Sequence, residues 1–254
     1  IWKIALVYGG RCHEHEISCL SKEYVKQSLL SSLYEIREYK IEKNGQWQKN
    51  IEDILQNDIC FPMIHGSFGE DGALQGFFSI IDKAYVGCDY SASSLCMDKA
   101  KTKRILSTHG IAFSPFVDFS DTDWKTRKED CLNKIKKLTF PLFVKPNSQG
   151  SSIGISYAEN LNECVKAIEE AFLFDHHLII EEKVDGREIE IGIIGNRFLE
   201  ISLPGEIILE ETFYNYEKKY GKNTYKTIVP AKNLEDKYSE LKKLAEIIYR
   251  KLNC

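Results

Sequence analysis

The sequence predicts an α/β chain, built on a parallel sheet, that continues as α+β with antiparallel strands. Three observations predict it. Residues 3–8 and 59–64 are short apolar runs and residues 34–41 a further strand-length segment, separated by helix-length segments, the alternation expected of a parallel sheet. Residues 160–172 set Leu161, Val165, Ile168 and Phe172 at helical spacing, which gives an amphipathic helix with one face to pack on a sheet. Residues 178–184, 188–194 and 197–202 are strand-length runs divided by Asp185-Gly186 and Gly195-Asn196, the turn chemistry of antiparallel neighbours.

In chain order, residues 3–8 form the first strand and Gly9-Gly10 end it. A helix over 17–30 follows, with Leu20, Val25 and Leu29 as its inner face. With the strand 34–41 this makes a strand-turn-helix-strand opening of the kind that begins nucleotide-binding parallel sheets. Asn44-Gly45 is a turn, and the strand 59–64 runs into His65-Gly66-Ser67-Phe68-Gly69-Glu70-Asp71-Gly72. A helix over 73–81 and a short strand over 84–87 close a first unit, residues 1–87. Residues 91–109 read as two helical pieces, stopped by Gly110. A strand over 114–119, a helix over 124–138 and a hairpin around Lys145 complete a central unit, residues 88–180. The third unit is 181–254. It contains a polar, tyrosine-rich loop over 204–227, long enough to be a lid, and a last helix over 234–252 with Leu234, Tyr238, Leu241, Ala245, Ile248 and Leu252 on one side.

Composition narrows the function. With 254 residues, 43% hydrophobic, the chain can bury a large core, and a net charge of -4 argues against a nucleic-acid footprint, which needs clustered basic surface. Lys134, Lys136 and Lys137 are a solvated helix face. The eight cysteines are scattered without a C-x-x-C pair, a usage that suits a reducing cytoplasm. No apolar run approaches the ~18 residues of a membrane span, and Ile1-Trp2-Lys3 leads straight into a strand with no room for a signal peptide.

The stretch richest in chemistry is F-P-L-F-V-K-P-N-S-Q-G-S-S-I-G-I-S at Phe140 to Ser156. Lys145 closes an apolar strand and Gly150, Ser151, Ser152 and Gly154 make a loop whose small residues let backbone N–H groups converge on one anion. A polar hairpin turn with a snorkelling lysine is the plainer alternative. No G-x-x-x-x-G-K-[ST] loop occurs. Cys12-His13-Glu14-His15-Glu16 suggests a metal cluster at first sight, but neither His at i and i+4 nor a C-x-x-C partner is present. Glu14 fits better as a carboxylate at the C-terminal end of the first strand, placed to meet a cation, or as an acid favoured by the helix dipole. His65 ends another strand at the same edge, where it could equally be a capped loop histidine. An isolated helix lysine such as Lys99 is ordinarily solvent-facing. Glu181 and Glu182 end an apolar strand, and Glu188 and Glu190 alternate onto one face of the next. Such carboxylates suit ribose hydroxyls or simply an exposed strand face.

Taken in order, the pieces resemble D-alanine–D-alanine ligases over nearly the whole chain. The resemblance rests on G-G-R-C-H-E-H-E-I-S at Gly9 to Ser18, H-G-S-F-G-E-D-G-A-L-Q-G at His65 to Gly76, M-D-K at Met97 to Lys99, F-V-K-P-N-S-Q-G-S-S-I-G at Phe143 to Gly154, and F-Y-N-Y-E-K-K-Y at Phe213 to Tyr220. It implies an ATP-grasp fold with an N-terminal Rossmann-like domain, and an enzyme that joins two D-alanines for peptidoglycan synthesis using ATP and magnesium, with manganese as an alternative. By that resemblance Lys99 and Lys145 hold the ATP phosphates, and Ser151 and Ser152 belong to the loop that closes over them. Glu181, the backbone near Val184, and Glu188 meet adenine and ribose. Glu14 receives the first substrate's ammonium, with His65 close by. Ser151 and Tyr220 complete a hydrogen-bonded link with Glu14, and Lys219 in the same lid approaches the transferred phosphate. Relatives that make the D-alanyl–D-lactate ester carry histidine at the position of Tyr220, so an amide product is expected. Homodimerisation is implied by the family alone.

Two departures stand out: Arg11-Cys12 where the family usually has threonine-serine or a similar pair, and Gln149 where many relatives have glutamate. The family's catalytic arginine, its metal-binding Asp, Glu and Asn, and a Gly/Ser segment for the second substrate follow the last helix. They are therefore expected beyond Cys254, in a longer protein. A D-alanine–D-serine ligase and a catalytically inert ATP-binding module are the alternatives.

Overall fold

The computed structural model describes residues 1–29, 31–209 and 225–254. These fall into two compact units, Ile1–Met97 and Asp98–Cys254.

In the first unit, β1 (Trp2–Gly9) is the middle of a sheet ordered β2-β1-β3, with β2 at Tyr34–Ile41 and β3 at Ile59–Pro62, and both neighbours run parallel to it. A strand covered on both faces reads as continuous apolar sequence rather than alternation, and Ile4 to Tyr8 are all buried. Ala5 and Val7 share a core with Tyr39, Ile41, Ile54, Cys60, Leu74 and Phe78. Leu74 and Phe78 come from α2 (Ala73–Ile80), which α3 (Tyr90–Met97) follows. The strand expected over 84–87 is reduced to one parallel bridge between Tyr85 and Cys60.

The helix α1 (His15–Ser28) corrects a sequence expectation. Leu20, expected inside, is 66% exposed, and the buried positions are His15, Ser18 and Lys22. Those three lie on one stripe, and polar contacts dock it. Ser18 Oγ accepts from Gly9 N–H at 2.8 Å and donates to Met63 O at 2.6 Å. Lys22 donates to Glu38 at 2.9 Å and lies 4.6 Å from the Tyr8 ring centroid. A hydrophobic periodicity could not report a face that binds through hydrogen bonds.

In the second unit, α4 (Lys99–Ser107) leads to an antiparallel four-stranded sheet ordered β4-β7-β5-β6, formed by Phe116–Ser120, His177–Glu182, Leu142–Pro146 and Ser156–Ala158 respectively. The helix expected over 124–138 is two, α5 (Asp121–Thr126) and α6 (Lys128–Ile135), parted at Arg127, whose backbone leaves the helical region. Ser120 and Asp123 form a reciprocal cap that starts the first of them. The amphipathic helix α7 (Leu161–Ala171) buries Cys164, Ala167, Ile168 and Ala171, with Leu161, Val165 and Phe172 packed at the margin.

Period-two alternation divides this sheet. Leu142, Val144, Leu178, Ile180 and Phe119 enter the core under α6 and α7. The residues between them, Phe143, Lys145, Ile179 and Glu181, therefore point to the opposite face, and the register sets Phe143 beside Glu181 and Lys145 beside Ile179.

Beyond β7 the expected strand over 188–194 is split. β8 (Glu188–Glu190) pairs with β11 (Gly205–Leu209), whereas β9 (Ile193–Gly195) pairs with β10 (Leu199–Ile201). Gly192 marks the change of partner, its N–H donating to Ser202 Oγ at 2.9 Å. The ends of the expected 204–227 loop are strand: β11 pairs antiparallel with β12 (Tyr225–Ile228). The last helix, Tyr238–Lys251, has its apolar stripe half-buried, and Tyr249 Oη donates to Gly195 O at 2.9 Å.

Candidate active site

In the first unit, the loops that follow β1 and β3 leave the sheet at the same edge, because the strands are parallel neighbours. Glu14 sits at the N-cap of α1 without capping it and is only 2% exposed. Its carboxylate lies against Gly66, and a Cβ at Gly66 would stand 2.6 Å from Glu14 Oε2. Gly66 also has φ +65°, so a side chain there would both strain the backbone and crowd the Glu14 carboxylate. His65 is held from two sides: Nε2 is 2.8 Å from Ser21 Oγ on α1, and Nδ1 is 3.8 Å from Glu70 Oε1. The other oxygen of Glu70 accepts from Gly66 N–H at 2.8 Å. The sequence-predicted pair Glu14 and His65 is thus brought to one edge, with His65-Gly66 folded against the helix that carries Glu14.

His15 turns inward instead, its Nδ1 at 2.7 Å from Gly10 O. Among the described residues no group of three or more His, Cys, Asp and Glu side chains could hold a metal ion.

In the second unit, Asn147 joins the N-terminus of α4 to the end of β5. It is buried, its Oδ1 accepts from Ala100 N–H at 2.9 Å, and its carbonyl accepts from Lys99 N–H at 3.2 Å. Asp98 caps the same helix by accepting from Lys101 N–H at 2.9 Å. This junction delivers the Lys99 side chain to the root of the serine loop, where Nζ donates to Gln149 O at 2.6 Å and to Asn147 O at 3.3 Å. Burial, reinforced by the nearby Lys145 ammonium, pulls the Lys99 ammonium down to about 8.

Lys145 and Lys103 converge on Glu181, Lys145 bonding to Oε1 and Lys103 reaching Oε2 at 2.7 Å. Burial acts to raise the Glu181 carboxyl, but the two lysines more than offset it and hold the group below its ordinary value. Lys103 stands 5.5 Å from the centroids of both Phe113 and Phe116, and Lys145 stands 5.3 Å from that of Phe143. One face of the sheet therefore carries a cationic, aromatic-rimmed surface beside a loop of small residues. Ser151 and Ser152 hold φ of 50° and 58°, and Gly154 has φ 68° with Phe174 and Pro146 against it. Non-glycine residues in this region carry backbone strain, which clusters at ligand clamps.

Val184, just past β7, is 69% exposed, and Glu188 lies on β8 in the neighbouring sheet. Lys219 and Tyr220 lie outside the described residues. Sequence reasoning missed Lys103 and Asn147. Lys103 had a signal, since it is one helical turn beyond Lys99 and shares its face. Asn147 had none, because its role is a junction between distant segments.

Comparison with known proteins gives a consistent answer. The family models described as D-ala D-ala ligase N-terminus and D-ala D-ala ligase C-terminus match residues 3–57 and 48–88, and residues 105–254, respectively. D-alanine–D-alanine ligase B of Clostridium tetani is 35% identical, over 99% of this chain and 77% of the relative. The D-alanine–D-alanine ligase of Streptococcus gordonii is 36% identical, over 97% and 78%. The crystal structure of the VanG D-Ala:D-Ser ligase from Enterococcus faecalis superposes with a TM-score of 0.86 at 31% identity, over 100% of this chain and 83% of that one.

Proposed function

Because the chain belongs to the D-alanine–D-alanine ligase family, with the ATP-grasp fold and ATP-dependent joining of two D-alanines that go with it, we propose how its own residues divide that work. Lys99 and Lys145 hold the phosphates of ATP, and Ser151 and Ser152 belong to the loop that closes on them. Glu181, the backbone near Val184, and Glu188 receive adenine and ribose. Glu14 takes the ammonium of the first D-alanine with His65 beside it, Ser151 and Tyr220 complete the link to Glu14, and Lys219 approaches the transferred phosphate. The observation that carries this reading is the placement of the Lys99 ammonium at the root of the serine loop, near enough to Lys145 for one charge to depress the other. The Glu181 carboxylate offsets part of that repulsion, and an anionic ligand would offset more of it.

The chemistry follows from those charges. A carboxylate oxygen of the first D-alanine attacks the γ-phosphorus, the bond to the β-phosphate oxygen breaks, and ADP leaves with that electron pair. Lysines at the phosphates neutralise charge that would otherwise repel the anionic nucleophile. The amine of the second D-alanine then attacks the acyl phosphate carbonyl, and the tetrahedral species expels phosphate as the amine loses its proton. Water would destroy the acyl phosphate, so closure over it is required.

ATP and a divalent metal are used by this family, and we propose magnesium, with manganese as a substitute; the described residues offer no metal cluster of their own. The division at about residues 87 and 180, a cytoplasmic setting consistent with eight free cysteines, and a homodimer are parts of the same proposal. No helix among the described residues is long and apolar enough to cross a membrane.

The test incubates the full-length protein with ATP, magnesium and D-alanine and measures ADP, phosphate and dipeptide together. Stoichiometric release is expected. ADP without dipeptide would point to another acceptor such as D-serine, and no turnover with any D-amino acid would leave an inert nucleotide-binding module.

A further inference from the structure

Glu181 is 8% exposed and has two ammonium partners on different elements, Lys145 on β5 and Lys103 on α4. Only one of those cations belongs to the phosphate site proposed above. Lys145 lies on the strand that feeds the serine loop, whereas Lys103 is a full helical turn beyond Lys99 and is hemmed in by the rings of Phe113 and Phe116.

We propose that Lys103 is a positioning residue for ATP, acting as the standing counter-ion of Glu181 so that Lys145 is free to leave that carboxylate for the nucleotide's phosphates. The inference rests on the phosphate role assigned to Lys145 and deepens it. A buried carboxylate stripped of its sole partner is left uncompensated, which is strongly unfavourable. Were Lys145 the only partner, ATP would have to break that pair and leave a bare negative charge close to its own phosphates. With Lys103 on the second oxygen, the carboxylate remains paired when Lys145 turns away, and its charge remains balanced. Lys103 is suited to staying behind. Its ammonium stands 5.5 Å from the centroids of two aromatic rings, is half-buried and is directed at Glu181 Oε2.

The experiment measures ATP binding by calorimetry and steady-state KM for ATP and for D-alanine in Lys103→Met, Lys103→Arg, Glu181→Gln and the Glu181→Gln/Lys103→Met pair. Lys103→Met keeps the apolar stem and removes the charge. It is expected to raise Kd and KM for ATP roughly tenfold or more, with KM for D-alanine within about twofold, and Lys103→Arg should recover most of the loss. In the Glu181→Gln background the same Met substitution should cost little, because no carboxylate remains to be compensated. An unchanged ATP affinity in folded Lys103→Met overturns the inference, as does an equal loss with and without the Glu181 carboxylate, or an equal rise in both KM values. If Lys103→Met alone does not fold, Lys103→Gln takes its place in the same cycle and the same outcomes decide. Lys145→Ala separates the two layers: retained ATP binding in that variant removes the phosphate site itself, whereas lost binding beside a silent Lys103→Met removes only the role given to Lys103.

Discussion

Raising the pH should weaken ATP binding through Lys99. The ammonium is half-buried at the root of the serine loop, and burial with the Lys145 charge brings it from 10.5 to about 8. At about pH 7 roughly nine-tenths of the free protein carries the charge, and at about pH 9 roughly one-tenth does. If the phosphates require the charged form, ATP affinity falls about tenfold across that interval, or ~1.4 kcal/mol, and binding above about pH 8 takes up a proton. Lys99→Arg supplies the control, because a guanidinium stays charged throughout. Stability must move the other way. Between about pH 8 and 10.5 the unfolded lysine is protonated and the folded one is not, so the unfolded state binds more protons and stability rises with pH, by up to about 3 kcal/mol for this group. Calorimetric titration with ATP in buffers of different ionisation enthalpy reads affinity and proton uptake together. Denaturant unfolding of the parent and of Lys99→Met reads stability. A flat ATP affinity between about pH 7 and pH 9, or the same slope in Lys99→Arg, would refute the reasoning.

Other substitutions test the remaining parts. Lys145→Ala should abolish measurable ATP binding, and an unchanged titration curve would rule out its assigned role. Gly66→Ala places a methyl group 2.6 Å from Glu14 Oε2 at a backbone φ of +65°; it should raise KM for the first D-alanine and lower stability by about 1–3 kcal/mol, read by steady-state kinetics and denaturant melts. Ile168→Ala on the fully buried face of α7 should cost about 2–5 kcal/mol in the same melts while leaving KM values unchanged in the folded fraction. Tyr220→Phe should lower kcat more than ATP affinity if its hydroxyl serves closure over the acyl phosphate, and equal kcat in the two proteins would remove that role.

What the sequence alone determined was local. The apolar run at residues 3–8 and the strand-length segment at 34–41 became parallel strands at nearly those bounds, and the 3.6-residue spacing of Leu161, Val165 and Ile168 became α7, because burial of one face is written into periodicity. The ordered motifs likewise indicated the ligase family before any coordinates. Tertiary structure decided which groups meet. Nothing in spacing could turn α1 so that Ser18 and Lys22 face the sheet and Leu20 faces water, since that choice depends on hydrogen bonds to Gly9, Met63 and Glu38, none of them on the helix itself. Nor could it show Glu181 held between Lys145 and Lys103, a contact made by β5, β7 and α4 from three parts of the sequence. Charge compensation acts through space at ion-pair range, whereas periodicity records only which way each element faces.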